Sequence, residues 1–462
     1  MSSVPQRPER PVFRAVERRL INRNFAKLWY GQAVSGVGDY VFNTTLTLWI
    51  AVKLGAGKPW APAAMSGLLM AATVAVVFVG PIAGVWVDRW DRRRTMLHTE
   101  TVRALLSGAL ALISLLPQHD LPVGVWLTVI YVLVFALNAA GRFFGPAQLV
   151  TVSQVVPGME EQTKAFGLVN ATSAVTRMIG PPLAAPLLFT SGVTWALALN
   201  AASYVVSYLA IRSTDLPRTE TGTSGSTGNA PERNFRRDFV EGMRFLVHSK
   251  VVFGVLVWAM LCQVGTGALN TLDVFFVTEN LHVAAKNFGF MAVAMGAGLI
   301  LGSLIAARVV KIFGPATTTT GVMLAAGLIY MLYARQTTLA AGLALLLLFE
   351  IPVAIVNTSM EPILLAAIPQ QLYARVMSAF GTLNQGTQML SMAISGWLAS
   401  SALRGFHSTV LGVHVGPIDM ILTLAALAIF LGGVVSKVTM PSNELVSRPQ
   451  LATTDLSSSP VD

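Results

Sequence analysis

The chain has 462 residues, 54% of them hydrophobic and 12% charged, with 32 lysines and arginines against 22 acids and a net charge of +10. A typical soluble protein carries about 25% charged residues, so half that share over so long a chain excludes an ordinary soluble globule and indicates an integral membrane protein. The basic residues gather in short segments between apolar runs; this excludes nucleic acid as the partner and matches the positive-inside rule.

The single cysteine, Cys262, lies inside an apolar run, so the chain has no internal disulfide framework and no Cys/His metal spacing. Residues 1–25 form a basic tail. The apolar stretch after it is too long for a signal-peptide core and reads as a retained first span. Lengths of about 20 apolar residues predict twelve membrane helices. They lie at 26–50, 63–87, 98–117, 124–146, 166–190, 193–212, 251–277, 288–310, 317–335, 339–362, 376–401 and 417–437. Lysine and arginine favour one set of alternate connections, which places both termini in the cytoplasm. The expected fold is all-α and integral to the membrane. Residues 26–212 and 251–437 form two six-helix bundles, 213–250 a cytoplasmic linker and 438–462 a cytoplasmic tail.

Span one carries Gln32, Ser35, Asp39 and Asn43 at three- and four-residue steps, hence on one face. An ionisable group at a helix centre in the bilayer costs about 2.5–3.5 kcal/mol and is functional by default. Asp39 is therefore the first candidate for a proton-carrying or cation-binding carboxylate. Span two ends in "GPIAGVWVDRWDRRRTM" (80–96), where an apolar helix gives way to Asp88 and a run of arginines. Arg142 lies toward the cytoplasmic side of span four. Arg177, near the centre of span five, requires a partner, and Asp39 at similar depth is the expected one, either as a pair made in one access state or as a permanent packing pair. Beside it, Gly180, Pro181 and Pro182 remove bulk and a backbone donor, which lets a helix bend or a neighbour approach closely. "TETGTSGSTGNAP" (219–231) is a flexible connection. The following segment, 233–250, reads as an amphipathic helix on the inner membrane surface, or else as a cytosolic linker helix.

In the second half, span seven carries Gln263, Thr266, Asn270 and Asp273 on one face, with Asp273 near the outer end. Span ten carries Glu350, Asn357 and Glu361, and Glu350 is the second proton candidate. Asn384 and Gln388 form a polar patch on span eleven. "AFGLVN" (165–170) recurs as "AFGTLN" (379–384), Gly80 and Gly84 have counterparts in Gly298 and Gly302, and Pro146 and Pro362 close spans four and ten. Together these suggest a duplicated six-helix unit, as in transporters with the substrate site between two repeats.

The loop after span two resembles the signature loop of the major facilitator superfamily through Gly84, Asp88, Arg89, Arg92 and Arg93, with Trp86 and Asp91 departing from the usual pattern. Its D-R-x-D-R-R form, "NRNFAKLWYGQAVSGVGD" (22–39) and "FVEGMRFL" (239–246) resemble the branch holding macrolide efflux pumps and the enterobactin exporter, and "VTRMIGPPLAAP" (175–186) resembles the span-five motif of antiporters. The resemblance implies that spans one and ten line a cavity. It also implies that Arg142 falls where antiporters often carry a functional arginine, although "GRFFGPA" (141–147) follows the branch instead. Asp88 would face the start of span eleven near Arg375 and Val376, where an anion beside a helix N-terminus gains up to about 2 kcal/mol. That contact would hold the outward-open state.

No enzyme constellation appears, and no phosphate-binding glycine loop with lysine. The expectation is a monomeric exporter of small amphiphilic molecules by proton antiport, in the cell membrane, using the proton gradient and no cofactor. Its partners are then the substrate, protons and the lipid bilayer. A siderophore or secondary-metabolite exporter, a lipid flippase, and a non-transporting receptor or assembly factor of the same fold remain alternatives.

Overall fold

The computed structural model describes residues 21–87, 89–214, 235–406, 408–410 and 413–439. Most of the basic tail, Asp88, the glycine-rich connection and the segment after 439 lie outside the described residues. Among the described residues the regular structure is helical apart from one short hairpin, β1 (Ser408–Val410) with β2 (Val413–Val415). The first helices are α1 (Arg23–Leu48), α2 (Ala61–Val74), α3 (Gly80–Val87), α4 (Arg92–Ile113), α5 (Val123–Val155), α6 (Met159–Thr190) and α7 (Val193–Arg212). After α8 (Phe235–His248) come α9 (Lys250–Phe275), α10 (Gly289–Phe313), α11 (Pro315–Tyr333), α12 (Leu339–Ala367), α13 (Gln370–Trp397) and α14 (Pro417–Thr439).

Among the described residues, eight helical stretches are long and apolar enough to cross a membrane, including Ala61–Gly84, Val123–Val155 and Leu339–Ala367. The chain is thus a multi-pass membrane protein. α1, α4, α6 and α13 are of similar length, 22 to 32 residues, but carry more polar and charged side chains. Several helices outrun the expected spans. Pro146 and Pro362 do not close their helices but lie inside α5 and α12. In an apolar medium every backbone group must pair internally, so a helix continues through a proline and leaves only the missing donor unmade.

The packing repeats. In the first group α1 touches α7 and α6, α4 touches α7 and α5, and α2 touches α5. In the second, α9 touches α14 and α13, α11 touches α14 and α12, and α10 touches α12. With α2 and α3 read as one interrupted helix, these are the same pairings six helices later. α1 and α9 also end alike, in wide π-type turns at Trp49–Leu54 and Phe276–Asn280. The duplicated unit suggested by the sequence is thus visible as duplicated packing. Its glycines have diverged, however. A Cβ on Gly298 or Gly302 would stand 2.7 Å from Glu350 Cβ or Ala354 Cβ on α12, whereas Gly80 and Gly84 face open space and pack against nothing.

The groups are joined mainly by α2 with α13 and α6 with α10, and to a lesser extent by α2 with α9. Ala63 N–H donates to Ser400 Oγ at 2.9 Å, and Ser66 Oγ donates to the Met392 carbonyl at 2.7 Å. Gly289 brings α10 onto α6, where a Cβ would lie 2.9 Å from the Pro181 carbonyl oxygen and 2.7 Å from Pro182 N. All these contacts lie at the end where α1 passes into α2 and α13 toward α14. Toward the other end, Phe78, Ile82 and Trp86 are exposed.

α8 turns an apolar face to neighbouring helices. Phe239, Met243 and Leu246 pack with Val376, Ala379 and Phe380 of α13 and Val252 of α9. Gly242 sits on the Arg375 backbone, and Arg375 Nη1 meets Glu241 Oε2 at 2.5 Å. The linker helix therefore occupies the start of α13.

Candidate functional site

The ionisable cluster is built from α1, α4 and α7. Gly31 and Gly38 let α1 lie against α7, since Cβ atoms there would come within 2.6 Å of Ala210 Cβ and 2.8 Å of Ser203 Cβ. Small residues at such spacing are how membrane helices approach closely. Asp39 is thereby brought to Tyr204, whose hydroxyl donates to Asp39 Oδ1. On α4, Glu100, Arg103 and Ser107 share a face, three and four residues apart. Arg103 Nη2 donates to both Asp39 oxygens, at 3.0 and 2.9 Å, and its guanidinium lies 4.2 Å from the centre of the Tyr204 ring. Such a pair joins a charge-assisted hydrogen bond to a cation–π contact.

Glu100 is fully buried. Its nearest cation is Arg103, with Nη1 3.7 Å from Oε1. Neither Glu100 oxygen has a hydrogen bond among the described residues. Gln32 and Ser207, themselves hydrogen-bonded at 2.8 Å, stand beside the carboxyl. Arg142 on α5 is half-buried in the field of Arg103.

Asp39, Gln32 and Ser35 line a cavity of about 150 Å³ together with Arg103, Gln148 and Thr172. The sequence pattern on α1 thus identified a real cavity face, though Asn43, further along it, is exposed and outside this cavity. The expected partner was wrong for this conformation. Asp39 pairs with Arg103, while exposed Arg177 donates from Nε to the Tyr40 hydroxyl at 3.1 Å. Arg177 instead faces the second helix group, where its field reaches Glu350. Glu350 is buried on α12 against Gly298, and Asp273 is the other charge near it. Asp273 accepts from the Tyr333 hydroxyl at 3.2 Å and is buried.

A second cavity, about 270 Å³, opens within the second group. It gathers Gln263 and Cys262 from α9, Asn357 and Phe349 from α12, Asn384 from α13, and Trp258. No charged side chain lines it. Of the predicted polar residues there, Gln263, Asn357 and Asn384 meet at this cavity; Asn270 is exposed, and Gln388 lies elsewhere with its carbonyl against Gly267.

The loop after α3 has a structural part. Asp91 caps α4, accepting from Arg94 N–H at 2.7 Å, and Arg93 donates to the Arg212 carbonyl at 2.7 Å, tying α4 to the end of α7. Arg89 is exposed and Arg92 opens α4. Asp88 lies outside the described residues, while Gly84 meets no neighbour. In the span-five motif, Gly180 packs on Tyr40 of α1, and Pro181 and Pro182 meet Gly289 across the group boundary.

Sequence reasoning missed Glu100, Arg103 and Tyr204. The first two fall just after the arginine run and read as the solvated start of a span. A signal was nonetheless present on α7, where Asn200, Ser203, Tyr204 and Ser207 make a polar stripe that is wholly buried.

The chain is 24% identical over 294 residues to YkuC of Bacillus subtilis (strain 168), an MFS-type transporter, covering 63% of this chain and 65% of that protein. It is 24% identical over 281 residues to macrolide efflux protein A of Streptococcus pyogenes, covering 61% and 65%. Against the enterobactin exporter EntS of Escherichia coli O1:K1 / APEC it is 23% identical over 358 residues, covering 75% and 81%. The match thus spans 65% of the length of each of the first two relatives. The fold resembles the nucleoside transporter NupG, with TM-score 0.66, 13% identity and coverage of 90% of this chain and 99% of that one. It equally resembles a bacterial homologue of the iron transporter ferroportin in an inward-facing state, with TM-score 0.66, 13% identity and coverage of 92% and 99%. These relatives are transporters, not enzymes. Residues 28–392 match the sequence profile of the Major Facilitator Superfamily. The chain belongs to that superfamily.

Proposed function

We propose that the protein is a secondary active transporter that exports small amphiphilic molecules, drugs and antibiotics among them, by proton antiport through alternating access. On this reading α1–α7 and α9–α14 are two bundles of six spans each, α2 and α3 counting as one. They lie in the cell membrane of a monomer with cytoplasmic termini and use no cofactor. The sealed end of the molecule is then the outer one, so the conformation described is open to the cytoplasm.

The observation that carries this reading is the separation of chemistries. Charged side chains line the first bundle's cavity, at Asp39 and Arg103, while the second bundle, which buries Glu350 and Asp273 outside its own cavity, lines that cavity with aromatic rings, amides and a thiol. Its volume of about 270 Å³ approaches the roughly 300–1,000 Å³ usual for small-molecule sites. An amphiphile with few charges suits such walls, and the charges serve the proton. Similarity to a macrolide efflux protein supports the drug class. Glu350 and Arg177 face each other across the bundle boundary and are the second candidate coupling site. The Pro181–Pro182 contact with Gly289 and the loop holding Gly84, Asp88 and Arg89 are assigned to sealing and switching.

Exposed Arg177 favours one other reading, an anionic siderophore as cargo. The test is transport in proteoliposomes with an imposed pH gradient, using a tritiated macrolide and the cationic dye ethidium as probes, with ferric-free enterobactin as the anionic alternative. Gradient-driven accumulation that a protonophore abolishes is expected for the macrolide or the dye. Accumulation of enterobactin alone selects the siderophore reading, and movement of all probes indifferent to the gradient rules out proton antiport.

A further inference from the structure

We propose that Glu100 holds the coupling proton in this conformation, and that Arg103 changes partner from Asp39 to Glu100 as that proton passes between the two carboxyls. The proposal rests on the proton-antiport reading above and assigns its proton to a residue outside the two candidates named there.

The argument is a count of charges in a buried place. Arg103 Nη2 is fully engaged with both oxygens of Asp39, and the Tyr204 hydroxyl adds a third hydrogen bond to the same carboxylate. Asp39 is therefore arranged as an anion. Glu100 has no such reception: it is sealed from solvent, the Ser207 hydroxyl and the Gln32 amide are the neutral groups beside its carboxyl, and its one close cation is already taken. Two anions sharing one buried cation would leave a net charge in an apolar interior, a state that proteins avoid by protonation. The other groups facing the pair do not supply the missing charge. α7 presents the Tyr204 hydroxyl and Ser207, α1 presents Gln32, and Arg142 on α5 stands beside Arg103 rather than beside Glu100. Within the triad of Arg103, Asp39 and Glu100, a proton on Glu100 leaves one cation and one anion, which is neutral.

The alternative arrangement is equally neutral. If Asp39 takes the proton, Arg103 is released to the carboxylate of Glu100. Its Nη1 is already 3.7 Å from Oε1 and needs to close by only about 1 Å to reach charge-assisted hydrogen-bond length. One proton leaves one oxygen and arrives at another, and the number of charges inside the bundle is unchanged. Access is unequal, which gives the exchange direction. The Asp39 side chain is 30% exposed and lines the cavity beside Gln32 and Ser35, whereas Glu100 lies behind Arg103. Asp39 is the entrance and Glu100 the store. Because α4 carries both Glu100 and Arg103, the change of partner alters the hold of α4 on α1, an element that lines the cavity.

The experiment measures the pH dependence of gradient-driven ethidium or macrolide transport in proteoliposomes for wild type, Glu100→Gln, Glu100→Asp and, as a surface control, Glu160→Gln. Glu160 is exposed and pairs with Lys164 at 2.7 Å, far from this chemistry. The expected result is loss of pH dependence in Glu100→Gln, its partial return in Glu100→Asp, and an unaltered profile in Glu160→Gln. A wild type that couples, together with a Glu100→Gln that couples equally, overturns this proposal alone; a wild type indifferent to the gradient overturns the antiport reading itself. Infrared spectroscopy of wild type and Asp39→Asn supplies a measurement that does not require a Glu100 variant to fold. In wild type a protonated-carboxyl band is expected. In Asp39→Asn, Arg103 has only Glu100 as an acid partner, so the part of that band owed to Glu100 should vanish, while the part owed to buried Glu350 and Asp273 is common to both proteins and cancels in the difference spectrum. Persistence of the Glu100 part in Asp39→Asn, or its absence from wild type, refutes the exchange.

Discussion

Arg103 touches two acids and an aromatic ring at once, and its removal should be costlier than that of any one of them. Breaking a buried pair by deleting one partner costs about 3–5 kcal/mol, because the remaining charge is left uncompensated. Arg103→Met should therefore lower the thermal midpoint sharply. Asp39→Asn should soften that loss, so that the double variant is less damaged than the two single losses added together. Asp39→Asn combined with Arg177→Ala should instead be additive to within about 0.5 kcal/mol, as expected for residues that share no partner. Unfolding of the three single and two double variants in one detergent decides this, and additivity in the Arg103 cycle would show that the pair is not coupled. At this scale the sequence was half legible. Asp39 stands alone in an apolar run and announced itself. Arg103 did not, because an arginine about three turns into a helix that opens on an arginine run reads by pattern as one more topogenic charge. Which helix faces which is also not written in any one helix, and so Arg177 was the partner expected.

Among the elements, α8 shows how an amphipathic pattern fixes a helix without fixing what it covers. The spacing of Phe239, Met243 and Leu246 predicted one apolar face; that face packs on α13 and α9. The Glu241–Arg375 pair is half-exposed, and such pairs contribute about 0–1 kcal/mol, so the apolar contacts and Gly242 do more to hold α8. Gly242→Leu would drive a side chain into the Arg375 backbone, whose carbonyl carbon lies 2.7 Å from an ideal Cβ. It should detach α8 and speed tryptic cleavage around residues 235–248, whereas Glu241→Ala should change the cleavage rate little. Equal rates for Gly242→Leu and wild type would mean that α8 is not docked in the membrane-embedded protein. The helix boundaries were legible to within a turn or two. The fate of Pro146 and Pro362 was not, because a proline stops a helix in water far more readily than in a medium with nothing else to bond the backbone.

For the whole molecule, the contacts that join the two groups lie at one end. Ala63 and Ser400 are hydrogen-bonded there, close enough for a cross-link between α2 and α13. In a Cys262→Ser background, Ala63→Cys with Ser400→Cys should form a disulfide on mild oxidation. On the alternating-access reading this bridge stops transport until it is reduced. Transport that continues at full rate through a cross-linked sample would mean that this end need not open. The twelve-helix count and the internal repeat were suggested by spacing and by small matches such as "AFGLVN" and "AFGTLN", and the recurring helix pairings give the repeat a physical form. The packing also shows what the motifs hid: the copies have lost equivalence, one lining its cavity with charges and the other keeping its buried Glu350 and Asp273 out of an uncharged cavity. On the proposed reading that inequality makes the machine modular in inheritance. Substitutions around Trp258, Phe349 or Asn384 can retune which compounds leave the cell while the energy-converting residues stay untouched. Selection by a new antibiotic would then be expected to write its changes in one half of the gene and spare the other.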